Sequence, residues 1–248
     1  MEHKYHVPAL DRASAVLDVI GGEPYKWKLS DLSKTIGISK STLYSLLVTM
    51  ERLQWVSRDR NETYAIGSAL GRYGSAFFRQ YDLIEDFRRL AEPVMLKLQE
   101  SIQLAVLEGS DVLYLSKMEA PTPVQMVSGP GVRFPAHATG LGKVLLADMN
   151  EERISHLYPE EALHPITVHT ISSRAALIRE LGNVRKAGFA TDLQEGVMGF
   201  CCTAAPIRKR NGDIAAAVSC SMPIHHWEEK KELAMQEIVR LAQKLSNV

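Results

Sequence analysis

Residues 30–52 read SDLSKTIGISKSTLYSLLVTMER, and the spacing inside this stretch decides how the first part of the chain folds. Leu32 and Ile36 fall on one face of a short helix, and Gly37 stands where a left-handed cap would end it. Ser30 is expected to cap that helix at its start. Ser39 is placed to cap the next one, whose Leu43, Leu46, Leu47, Met50 and Leu53 form one apolar stripe. Only Gly37-Ile38-Ser39 separates the two, and two short helices joined by a tight glycine turn predict a helix-turn-helix.

The flanks extend the same unit. Upstream, Leu10, Ala13, Val16, Leu17 and Ile20 recur at helical spacing until Gly21-Gly22. Downstream, Trp55–Arg58 and Thr63–Ile66 are short β-prone runs around the polar tip Asp59-Arg60-Asn61-Glu62, which predicts a hairpin. A hairpin directly behind a helix-turn-helix is a wing. The next helical stretch, from Ala69 to Tyr81, carries Leu70, Tyr73, Phe77 and Phe78 but is too small for a core of its own, so it reads as a linker helix covered by a partner subunit.

With the apolar stripe turned inward, Ser41, Tyr44, Ser45, Val48 and Arg52 face outward, and Lys40 and Thr42 lie near the helix start. Lys40 suits a phosphate, Ser41, Tyr44 and Ser45 suit base edges or sugar, and Arg58 and Arg60 sit at the wing. Charge agrees in direction. The whole chain balances 29 Lys and Arg against 29 Asp and Glu, but residues 1–80 hold 11 against 8, leaving 18 against 21 for residues 81–248. A basic head on an acidic body fits one end on phosphate. The opposing reading is a solvated helix face on a small adaptor.

Beyond residue 82 the periodicity changes. A helix from Asp82 to Gln99 carries Leu83, Phe87, Leu90, Val94 and Leu98, with Pro93 inside it. Ile102–Glu108 and Val112–Met118 read as strands, Val124–Val127 as a third, and Gly129-Pro130-Gly131 up to Pro135 as a loop. Helices follow near 140–148, 150–157 and 173–187. Strands near 200–207 and 214–222 then flank Asn211-Gly212, and His226–Asn247 closes the chain as an amphipathic helix. Strands adjacent in sequence with helices clustered between them predict an α+β domain with an antiparallel sheet.

Several classes are disfavoured. No segment approaches the ~20 apolar residues of a membrane span, and Met1-Glu2-His3-Lys4 lacks the apolar run of a signal peptide. A cytoplasmic protein without a cofactor or bound metal is the expectation. Cys201, Cys202 and Cys220 are odd in number and lack metal-site spacing. An enzyme using His137, His164, His169, His225 or His226 as base is one alternative, but no nucleophile elbow, P-loop, dinucleotide fingerprint or HExxH helix is present. His137 reads as a loop-closing residue and His225-His226 as a solvated helix start. A redox sensor built on Cys201-Cys202 is the other alternative, opposed by the outward divergence of adjacent strand residues.

Taken in order, several motifs give a resemblance that covers nearly the whole chain. They are Leu10-Asp11-Arg12-Ala13, Ile38-Ser39-Lys40-Ser41-Thr42 and Tyr64-Ala65-Ile66-Gly67, then the run from Pro135 to Ala147, Gly188-Phe189-Ala190-Thr191-Asp192 and Ala204-Ala205-Pro206-Ile207. With them the chain resembles the IclR family of bacterial transcriptional regulators. The resemblance implies a winged helix-turn-helix over 1–67, a linker helix over 68–81 and a GAF-like effector-binding domain over 82–248. It also implies a homodimer, or a dimer of dimers forming a homotetramer, on a palindromic double-stranded operator. One position departs from the pattern: Ser45 stands where relatives often carry an arginine, so the family's operator sequences do not transfer.

The same resemblance places a small-molecule site. Asp192 and Cys202 match family positions that line it. The resemblance brings two further segments there, 139–141 and 219–221, and each also makes physical sense. Thr139 is able to cap the helix starting at Gly140-Leu141, whose free N–H groups would suit an anion while Gly140 permits close approach. Strand alternation puts Ser219 and Ser221 on one face and Cys220 on the other. Met126, Leu141 and Phe200 are candidate apolar walls. The expected effector is a small organic acid or hydroxylated metabolite, and the expected protein is a repressor. In the bland alternative Thr139 only caps its helix, Asp192 only caps a turn and Cys202 only fills the core.

Overall fold

The computed structural model describes residues 7–121 and 128–247. The expected strand Val124–Val127 and the expected wall residue Met126 lie outside them. The chain divides into two compact units, Met1–Gln80 and Tyr81–Val248.

In the first unit, α1 (Pro8–Gly22), α2 (Leu29–Ile36) and α3 (Lys40–Arg52) pack on a three-stranded sheet of β1 (Trp27–Lys28), β2 (Val56–Arg58) and β3 (Thr63–Ile66) in the order β1-β3-β2. Their shared core is Ala13, Val16, Ile20, Leu32, Leu43, Leu47, Met50, Val56 and Tyr64. Gly37 adopts φ +73° and closes α2 by donating its N–H to Ser33 O. Ser39 caps α3, accepting from the Thr42 N–H at 3.3 Å.

Two details differ from expectation. Ser30 is not the cap of α2: Lys28 is, and the Asp31 carboxylate reaches back to the Lys28 N–H at 3.4 Å. The two-residue β1, too short to leave a periodic signal, adds a third strand behind the wing. The wing tip is held by Asp59, whose Oδ1 accepts from the N–H and hydroxyl of Thr63, both at 2.8 Å, and from the Asn61 N–H at 3.0 Å. α4 (Ser68–Phe78) follows, with Ala69 as its buried residue and Tyr73 exposed.

The second unit begins with α5 (Leu83–Leu98), which stays continuous through Pro93. Its six-stranded sheet contains β4 (Ser101–Glu108), β5 (Asp111–Met118), β6 (Arg133–Pro135), β7 (Ala190–Leu193), β8 (Phe200–Arg208) and β9 (Ile214–Pro223). The order is β6-β5-β4-β9-β8-β7, and every pairing is antiparallel. Pro135 thus ends a short strand rather than extending a loop. α9 (Ile224–Ser246) packs on β8, β9 and α5. The other face of the sheet meets α6 (Gly140–Leu146) and α8 (Arg174–Ala187), and α7 (Glu151–Leu157) packs on α8.

Candidate nucleic-acid interface and ligand cavity

Helical periodicity alone sets the first site. Burying Leu43, Leu47 and Met50 leaves Lys40, Ser41, Thr42, Tyr44, Ser45, Val48 and Arg52 exposed. Tyr44 is 55% exposed and Val48 45%, so both side chains stand open to a partner. Lys40, Arg52 and Arg60 make no ion pair among the described residues, so their charges stand available to a polyanion. Two other expected contacts are already engaged. Ser45 Oγ donates to Ser41 O at 3.2 Å, leaving its lone pairs outward. Arg58 lies 3.5 Å from Glu51 and 3.6 Å from Glu62, so its charge is partly neutralised within the wing.

The second site is a small cavity lined by Tyr114, Phe134, Thr139, Leu141, Asp192, Gly196, Val197, Phe200, Cys201, Cys202, Ser219 and Ser221. Register brings these together from five strands and a helix. Asp192 on β7 pairs with Cys202 on β8, which pairs with Ser221 on β9, so their side chains share one face. Leu141, Asp192, Cys202, Ser219 and Ser221 therefore converge as expected, and Phe200 joins them.

Gly140 does not line the cavity. A Cβ there would stand 2.8 Å from Cys202 Sγ, so its missing side chain serves the close packing of α6 on β8. Two of the anticipated N–H groups are also engaged: that of Gly140 faces Cys202, and that of Gly142 donates to Thr139 Oγ1 at 3.0 Å.

Asp192 holds its own turn, accepting the Glu195 N–H at 2.6 Å, with Gly196 N–H also donating. Burial first, then the nearby Glu195 carboxylate, lifts the Asp192 carboxyl from an ordinary 3.8 to about 7. A carboxyl so raised stabilises the fold when protonated. That contribution is complete below pH ~4 and is lost as pH rises through ~7. Wild-type stability should fall by about 2–3 kcal/mol between pH 5 and pH 8 on this account. Asp192→Asn should flatten that slope in pH-dependent urea melts, and an unchanged slope would reject the assignment.

Several residues escaped the sequence reading. Gln103 on β4 is buried, and its Oε1 accepts from Ser219 Oγ at 2.9 Å and Ser221 Oγ at 3.2 Å. Tyr114 and Phe134 form an edge-to-face wall with centroids 6.2 Å apart. Lys143 on α6, 1% exposed, reaches Glu195 at 2.7 Å and Glu180 at 3.6 Å. A polar residue flanked by Ile102 and Leu104 in a buried strand was the available signal for Gln103.

His137 Nε2 meets His164 O at 3.0 Å, which closes the loop between them. His226 is not a free solvated group: its Nδ1 meets the buried Glu100 carboxylate at 2.7 Å, beside Lys230 at 2.6 Å. No cluster of three or more metal-ligating side chains occurs among the described residues. The three cysteines are buried and unbridged. Burial pushes the Cys201 thiol up to about 11 and those of Cys202 and Cys220 well above the ordinary range, which disfavours a reactive thiolate. No helix among the described residues is long and apolar enough to cross a membrane.

Known proteins share this layout. The family model for the bacterial transcriptional regulator IclR C-terminal domain matches residues 75–247, and that for the IclR helix-turn-helix domain matches residues 9–60. The chain is 32% identical over 242 residues to the HTH-type transcriptional regulator BhcR of Paracoccus denitrificans, covering 97% of this chain and 86% of that one. It is 27% identical over 233 residues to the HTH-type transcriptional repressor AllR of Escherichia coli K12, covering 94% and 86%. The crystal structure of the Thermotoga maritima IclR aligns with TM-score 0.77 at 28% identity, over 97% of this chain and all of that one.

Proposed function

Because this chain belongs to the IclR family of bacterial transcriptional regulators, we propose that it is a cytoplasmic repressor that releases its operator when a small organic acid or hydroxylated metabolite fills the cavity beside Asp192. The observation that carries the DNA half is the outward face of α3, where Lys40, Ser41, Tyr44 and Ser45 lie exposed over a packed helix-turn-helix core. Lys40 and Arg60 take phosphates, while Ser41, Thr42, Tyr44 and Ser45 meet base edges or sugar, with Arg52 and Arg58 at the margins. The exposed Tyr73 on α4 and Leu10 on α1 are apolar groups that a second copy would cover, supporting a homodimer and a dimer of dimers.

Regulation needs two states. A ligand shifts the balance between a DNA-competent dimer and a released one only by its differential affinity for them. Paired heads must meet half-sites about one helical turn apart, ~34–36 Å. No catalytic step enters this reading.

The test is footprinting and binding on promoter fragments from the protein's own genomic neighbourhood. Log affinity should fall linearly with log salt, and Lys40→Ala should weaken binding across sequences while reducing the slope by about 1. Tyr44→Ala should cost about 1–3 kcal/mol and relax sequence preference. Salt-independent binding, or none on any promoter fragment, would overturn the proposal.

A further inference from the structure

Between Lys40 and Glu51, α3 carries no charged and no amide side chain. The residue types that grip a base with two hydrogen bonds, Arg or Lys for guanine and Asn or Gln for adenine, are therefore missing from its middle. What stands there is the exposed Val48, with the exposed Tyr44 four residues before it and Ser45 three before it. Helical spacing makes Val48 a neighbour of both on one outward face. The hydroxyls of that face are already oriented. Ser45 Oγ donates to Ser41 O at 3.2 Å, and Thr49 Oγ1 donates to Ser45 O at 3.0 Å. The hydroxyls of Ser41 and Thr42 gather on that of the Ser39 cap, at 3.2 and 2.9 Å. A serine hydroxyl owns one hydrogen, so Ser45 has committed its own to the helix and offers a groove only lone pairs.

We infer that each operator half-site presents an A·T pair to the middle of α3, read by Ser45 and Val48 together. The adenine N6 amine donates to Ser45 Oγ, and the thymine 5-methyl packs against Val48 and the ring of Tyr44. This rests on α3 being the helix that enters the major groove. It is the combination that selects the pair. An acceptor alone suits the adenine amine and the cytosine amine equally. Only the adenine has a partner base that carries a methyl group. The partner of cytosine is guanine, whose N7 and O6 are acceptors that Val48 has no means to satisfy. A G·C pair would therefore leave polar edges desolvated against an apolar side chain, which costs free energy. Lys40 at the start of α3 and Arg60 on the wing add attraction to phosphate that is indifferent to sequence. Sequence preference in this head thus comes from a methyl contact beside a lone pair rather than from a charged fork on guanine.

The test uses the full chain to select tight duplexes from a random-sequence pool. Each thymine of the selected site is then replaced in turn by deoxyuridine, which lacks only the 5-methyl group. At one thymine per half-site the replacement should weaken binding roughly fourfold, the worth of one buried methyl. The slope of log affinity against log salt should not change, because no phosphate contact is lost. In Val48→Ala the same replacement should matter by less than about twofold. Ser45→Arg should exchange the selected A·T pair for one containing guanine, preferred by roughly tenfold. Both positions are exposed, melts establish that the variants fold, and the deoxyuridine series on the wild type needs no variant at all. Three results would each overturn the inference while leaving DNA binding in place: selected sites whose affinity no deoxyuridine changes, a methyl effect undiminished in folded Val48→Ala, or a Ser45→Arg pool that keeps the wild-type sequence. A pool from which the wild type enriches nothing would overturn the operator reading itself, and this inference with it.

Discussion

Glu195→Ala should destabilise the unit beginning at Tyr81 by about 3–5 kcal/mol, the cost of leaving one partner of a buried ion pair alone. Lys143 is 1% exposed, and its ammonium lies 2.7 Å from Glu195 Oε1. Glu180 stands further off, at 3.6 Å on a partly exposed side chain, and compensates only in part. For a unit of this size the loss corresponds to a melting point lower by roughly 10 °C. The double variant Lys143→Met with Glu195→Leu removes both charges and should recover most of that loss, because a well-packed apolar pair replaces a desolvated ionic one at little cost. Calorimetric melts of the single and double variants check this. A single variant that melts with the wild type would mean the pair contributes nothing.

Gly142→Ala should be at least as damaging, with a loss above about 3 kcal/mol and little soluble protein. A Cβ at Gly142 would enter the backbone of Ala136, which has no side-chain freedom with which to yield. The contact is where α6 presses on the 3-10 turn Ala136–Ala138, next to Thr139 at the cavity. Two comparisons grade the effect. Gly140→Ala meets Cys202 Sγ at 2.8 Å, a side-chain atom able to turn, so its cost is smaller. Gly182→Ala on α8 meets nothing within 4 Å and should be stabilising by up to about 1 kcal/mol, from helix propensity alone. Equal melting points for the Gly142 and Gly182 variants would refute the argument.

The local part of this architecture was legible. The stripe of α3, the glycine turn before it and the hairpin behind it are signals within a few residues, and the structure places Leu43, Leu47 and Met50 inward accordingly. The strands β8 and β9 were legible for the same reason. What failed was either short or long-range. β1 and β6 have two and three residues, below any useful periodicity. Lys143 looks like an ordinary solvated lysine until its partner, 52 residues later, is brought beside it. Gln103 required the pairing of β4 with β9, strands more than a hundred residues apart. Ser219 and Ser221 needed only alternation. Gly140 was read for the right property, its missing side chain, but for the wrong neighbour.

The wall of the cavity beside Asp192 carries no Lys, Arg or His among the described residues, and contacts between neutral groups are scarcely weakened by dissolved ions. The reading head instead carries unpaired Lys40 and Arg60 in open water, where counterions compete directly. Rising ionic strength would therefore act on contacts made by the exposed face of α3 and the wing while leaving those inside the cavity nearly unchanged, so the two ends of one polypeptide differ in their response to salt.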